Sequence, residues 1–94
     1  MSSYYDGFPI RRERMGEGYL VEWDGDIGGC RKDRSYGGGV SLWTIAELDN
    51  DYRTVGRKVS VKGTLNDATL SVAVLLADRR LDQMAEEWEE DHER

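Results

Sequence analysis

Thr64-Leu-Asn-Asp-Ala-Thr-Leu-Ser-Val-Ala-Val-Leu-Leu-Ala-Asp-Arg-Arg-Leu81 decides the fold, because it supports two incompatible readings. Leu70, Ala73, Val74, Ala77 and Leu81, continued by Met84 and Trp88, recur at intervals of three and four, the spacing of one helical face. Thr64 and Asp67 supply an N-cap and an acidic third position, a shortened capping box, and Asp67 suits the positive end of the helix dipole. The spacing predicts a helix over 64–90, beginning at about residue 65 and running for about 38 Å at 1.5 Å per residue. In the rival reading Thr69 to Leu76, with Val72 and Val74, forms a buried strand paired with 58–62 across Asn66-Asp67.

Upstream, glycine divides the chain. Phe8-Pro-Ile-Arg-Arg-Glu-Arg-Met15 and Tyr19-Leu-Val-Glu-Trp-Asp24 flank Gly16-Glu-Gly18 and read as a β-hairpin. A period of two puts Tyr19, Val21 and Trp23 on one face of the second strand. Residues 25–39 hold six of the eleven glycines around Arg31-Lys-Asp-Arg34 and are expected to form a long glycine-rich loop. Val40-Ser-Leu-Trp-Thr-Ile45 favours a strand passing into a helical turn over 46–49, although Ser41 as the cap of a short helix is the other reading. Val59 and Val61, alternating with Lys58, Ser60 and Lys62, mark a further strand closed by Gly63. The fold class is therefore α+β: a small antiparallel sheet, mainly within 8–62, against one long C-terminal helix.

Ninety-four residues allow one domain, 1–94, with one core. With 38 % apolar and 34 % charged residues the chain reads as globular. Met-Ser-Ser-Tyr-Tyr-Asp does not resemble a signal peptide and no run reaches the 18 or so apolar residues of a membrane span, so the expected location is cytoplasmic, away from membranes. A single cysteine, Cys30, agrees with a reducing compartment.

Gly18-Tyr-Leu-Val-Glu-Trp-Asp-Gly25, followed by Leu42-Trp-Thr-Ile-Ala-Glu-Leu48, resembles the strand and turn pattern of small SH3-like barrels, including Tudor and chromodomain-type modules. The likeness covers less than a third of the chain. It implies a peptide- or nucleic-acid-binding module in which Tyr19, Trp23 and Trp43 would form an aromatic cage at the barrel mouth.

Catalytic constellations are not found. His92, the one histidine, stands third from the end among acids, and Cys30 has no histidine to activate it. Asp24-Gly-Asp26 opens like a calcium loop, but Gly28 takes the fifth ligand position and Ser35 the twelfth, so no metal is expected. The glycine groups lack both the phosphate-loop ending and the dinucleotide fingerprint, and no cofactor is expected. The chain therefore reads as non-enzymatic.

The net charge of −6 sits in the last 13 residues, where Asp82, Glu86, Glu87, Glu89, Glu90, Asp91 and Glu93 face only Arg94. Acids at a helix C-terminus oppose the dipole, and Glu86 with Glu90, Glu87 with Asp91 and Glu89 with Glu93 are like-charged pairs four residues apart. Such an arm either solubilises the chain or meets a protein with a basic surface, such as a nucleic-acid-binding one, with Trp88 as its anchor. Arg11, Arg12, Arg14, Arg31, Lys32, Arg34, Arg57, Lys58 and Lys62 offer a competing surface for direct nucleic-acid binding. The first expectation is a small protein-binding regulator or inhibitor, of the type phages and mobile elements use against host enzymes or defence complexes. The alternatives are the SH3-like binding module and a structural or virion assembly subunit.

Overall fold

The computed structural model describes residues 3–5 and 7–92, with side chains for 4, 5 and 7–84. Six strands, β1 (Ser3–Tyr5), β2 (Phe8–Met15), β3 (Gly18–Trp23), β4 (Asp26–Gly37), β5 (Val40–Leu48) and β6 (Thr54–Gly63), precede one helix, α1 (Leu65–His92). The strands pair antiparallel in chain order, a meander with β1 and β6 at its edges. This curled sheet packs against α1, the α+β arrangement that the sequence predicts. Residues 69–76 are helical, so the rival strand does not form.

Tight turns make the meander. Trp23 pairs with Asp26 and Gly37 with Val40, leaving Asp24-Gly25 and Gly38-Gly39 as two-residue turns. Both residues of each have positive φ, 46° and 82° in the first and 61° and 81° in the second, the sense that matches the strands' right-handed twist. Asp49 closes the longer β5–β6 connection by accepting the amides of Asp51 and Arg53 on its side chain, at 2.9 and 3.0 Å.

The glycine-rich segment 25–39 is not a loop: most of it is β4, the longest strand, at 12 residues. Gly28 and Gly29, inside the strand, are places of close approach, whereas Gly25, Gly38 and Gly39 form its turns. A Cβ at Gly28 would lie 2.5 Å from Val72 Cγ1, and one at Gly29 3.3 Å from Leu48 Cδ1. The helical turn expected over 46–49 is absent as well. β5 runs to Leu48 because β4 and β6 both supply ladder partners there, which outweighs the local preference of Ala46-Glu47-Leu48.

From the sheet, Ile10, Val21, Trp23, Cys30, Trp43 and Ile45 meet Ala68, Val72, Ala73, Leu76 and Ala77 of α1 in one core. Tyr19, Val21 and Trp23 share the helix-facing side, as the period of two predicts. The helix, however, is rotated from the face its periodicity picks out. Ala73 and Ala77 are buried, but Leu70, Leu81 and Met84 are 45 %, 62 % and 59 % exposed, and Ala68, Val72 and Leu76 fill the core instead. Small side chains let the helix sit deep in the curl, with the larger ones left on its outer flank. Among the described residues no helix is long and apolar enough to cross a membrane.

Candidate interaction surfaces

The helix that carries the acidic arm is fixed at its start by a reciprocal cap. The Thr64 amide donates to Asp67 Oδ2 at 2.9 Å and the Asp67 amide donates to Thr64 Oγ1 at 3.2 Å. Farther along, Arg79 Nε lies 3.4 Å from Glu47 Oε1. Arg80 then ties the helix to the β3–β4 turn. Its guanidinium donates to Asp24 Oδ2 at 2.6 Å, to the Asp24 carbonyl at 3.2 Å and to Asp26 Oδ2 at 2.5 Å, while lying 4.7 Å above the Trp23 ring. Those carboxylates hold the Arg80 pKa above its already high ordinary value.

Beyond Arg80 the described side chains leave the body. Leu81, Asp82, Gln83 and Met84 are all exposed, and the backbone continues as helix to His92, about 18 Å past Arg80. Glu86, Glu87, Trp88, Glu89, Glu90 and Asp91 therefore stand on helical backbone, with their side chains outside the described set, and Glu93 lies outside the described residues.

Two of the three aromatics expected at an open mouth, Trp23 and Trp43, are buried instead, and the third, Tyr19, is half-buried against Trp43. Trp23 and Trp43 are 3 % and 4 % exposed, and their indole N–H groups donate to the carbonyls of Tyr5 and Gly63 at 2.9 and 3.0 Å. Tyr5 and Phe8 pack on Trp23, and half-buried Tyr19 packs on Trp43 with ring centroids 6.4 Å apart. The rings are core beneath α1, placed there by the period-two face that Tyr19 and Trp23 share with Val21.

Strand pairing divides the cations between two faces. Arg12 reaches α1, donating to Asn66 Oδ1 and Thr69 Oγ1, both at 3.1 Å, whereas its neighbour Arg11 pairs with Glu22 on the opposite side. On that outer side Arg34 and Lys62 both lie over the Tyr36 ring, at 5.9 and 4.8 Å, and Arg31 meets Asp33, which accepts from Thr44 Oγ1. The Arg34–Tyr36–Lys62 cluster was not legible in the sequence, because two β-bulges near the end of β4 set the facing of residues 34 and 36.

Cys30 is buried, and desolvation pushes its thiol pKa up to about 11 against the opposing charge of Arg12, which suits packing rather than nucleophilic attack. Asp24 and Asp26, read as the start of a calcium loop, are the carboxylates that hold Arg80. Among the described residues no three His, Cys, Asp or Glu side chains gather into a metal-binding group. Outside the core stand the outer face of the sheet with its Arg34–Tyr36–Lys62 cluster, the flank of α1 and its acidic end. No protein-family model, curated protein or solved structure matches this chain.

Proposed function

We propose that this protein is a small non-enzymatic regulator or inhibitor that binds a protein with a basic surface through the C-terminal turns of α1. One observation carries the reading: the helix continues about 18 Å past Arg80, and this extension holds the residues that disfavour it as a helix. Seven acids against one base give the arm dense charge at a site where the dipole is already negative, so pairing with cations relieves strain that the isolated chain carries. A phage-encoded inhibitor acting in the host cytoplasm is one form of this reading. The SH3-like module draws less support, since Trp23 and Trp43 serve the core.

Capture from a native-host extract with the full chain beside a chain ending at Ala85 tests the proposal. A basic protein retained by the first bait only, and released as salt rises from low to physiological, is the expected result. Equal capture by both baits overturns it.

A further inference from the structure

The outer flank of α1 has the spacing of a coiled-coil seam. Leu70, Val74, Ala77, Leu81, Met84 and Trp88 are separated alternately by four and three residues, the d and a positions of successive heptads. Leu70, Leu81 and Met84 are exposed, Val74 is half-buried and Ala77 packs in the core at the inner edge of the seam, so among the described residues nothing covers Leu70, Leu81 and Met84. Leu70 and Val74 also wall an apolar groove between α1 and the edge strand β6, with Val59, Val61 and Leu75 on its other sides.

We propose that a second copy of this chain covers the seam, the two α1 helices packing antiparallel about an axis near position 79. This rests on the reading of the end of α1 as an interaction element and names one partner for it. In this register position 70 meets 88 of the second copy, 74 meets 84, and 77 meets 81, so every a residue faces a d residue. Ala77, whose side chain packs in the core, adds little bulk opposite Leu81, which lets the backbones approach at the centre, and position 88 is brought level with Leu70 of the second copy.

Charge selects the sense of packing. A parallel pair would align the two acidic arms over their whole length. The antiparallel pair carries each arm to the other copy's helix start, where the dipole is positive. Arg12 stands there too, bonded to Asn66 and Thr69 and with no carboxylate partner among the described residues. The rival route to self-association, antiparallel pairing of β6 edges about Ser60, would set Lys58 opposite Lys62 twice, and like charges directly opposite disfavour it.

Sedimentation of the full chain over a range of concentrations, at low and at high salt, tests the dimer. The expected result is a reversible dimer that weakens as salt rises, and Leu81→Asp raises its dissociation constant by about tenfold or more. Leu81 is exposed, so an unchanged thermal melt of the variant monomer shows that folding is not the cause. Orientation is read by oxidative cross-linking: Leu70→Cys mixed with Trp88→Cys gives heterodimers, and Trp88→Cys alone gives none. A chain that stays monomeric, a dimer indifferent to Leu81→Asp, or a dimer that tightens with salt and cross-links 88 to 88 overturns the proposal. A monomer whose arm still captures a basic protein overturns the dimer alone and leaves the proposed function standing.

Discussion

Gly28 of β4 faces Val72 of α1 so closely that a Cβ at position 28 would lie 2.5 Å from Val72 Cγ1 and 2.9 Å from the Ala46 carbonyl oxygen. The depth at which the helix sits in the sheet is set by this contact. Gly28→Ala therefore forces the two layers apart and is expected to lower unfolding free energy by roughly 1–3 kcal/mol. Val72→Ala removes one of the two obstacles. Urea denaturation of both single variants and the double variant should show the double variant to be less destabilised than the sum, with incomplete recovery because the Ala46 carbonyl stays in place. Strict additivity would mean that the two positions do not touch.

Helix initiation supplies a second coupled pair. Thr64 and Asp67 satisfy each other's amides, and Asp67 also fills the space beside Gly63, where an added Cβ would lie 2.6 Å from Asp67 Oδ2. Thr64→Ala and Asp67→Ala are each expected to cost about 1 kcal/mol, and together less than their sum, since either one breaks the reciprocal cap. Gly63→Ala displaces the Asp67 carboxylate and should reproduce much of the Asp67→Ala loss. The readout is thermal unfolding followed by helix content.

The cap and the strands expected at 8–15, 19–24 and 57–62, which form as Phe8–Met15, Gly18–Trp23 and Thr54–Gly63, were legible because each rests on local chemistry: side chain to amide, or a period of two. β4 was not, because Gly28 and Gly29 are selected by neighbours far away in sequence, Val72 and Leu48, and a single sequence shows the glycine without the neighbour. The helix face was half legible. Periodicity locates a stripe of apolar residues but does not say whether sheet or solvent lies against it, so Leu81 and Met84 share a stripe with Ala73 and Ala77 yet are surface where those are core. The same limit misplaced the aromatics. Trp23 and Trp43 look alike as cage walls and as core, and only the position of α1 decides between them.

Cys30 gives stability a dependence on alkaline pH. Its thiol ionises near 9.0 when exposed and is pushed up to about 11 by burial in the fold. A pKa raised in the folded state favours folding fully below the unfolded value, and that contribution is lost as pH rises from 9 toward 11, where the unfolded chain sheds the proton first. The expected slope is up to about 1.4 kcal/mol per pH unit from this group. Lysines and tyrosines also titrate there, so the comparison is with Cys30→Ala, whose stability should fall less steeply over the same window. Thiol-reactive reagents should label the folded protein at the rate of global opening; immediate labelling would contradict the buried site.

Arg80 decides where the body ends and the arm begins. Its guanidinium bridges Asp24 and Asp26 across a turn whose residues Asp24 and Gly25 both have positive φ, so the helix is tied to a stiff hairpin end rather than to a mobile loop. These groups are partly exposed, and the global cost of Arg80→Ala should be small, within about 1 kcal/mol. The local effect is larger, because residues 81–84 have exposed side chains and depend on Arg80 for a fixed origin. Amide exchange should speed up from position 81 onward while the amides of residues 72–77 keep their protection. Arg80→Lys retains the charge but not the fork that spans two carboxylates, and should restore only part of the protection. If exchange beyond position 80 is equally fast in the wild-type chain and in Arg80→Ala, the guanidinium does not hold the arm, and the arm's direction is set by the buried turns before it.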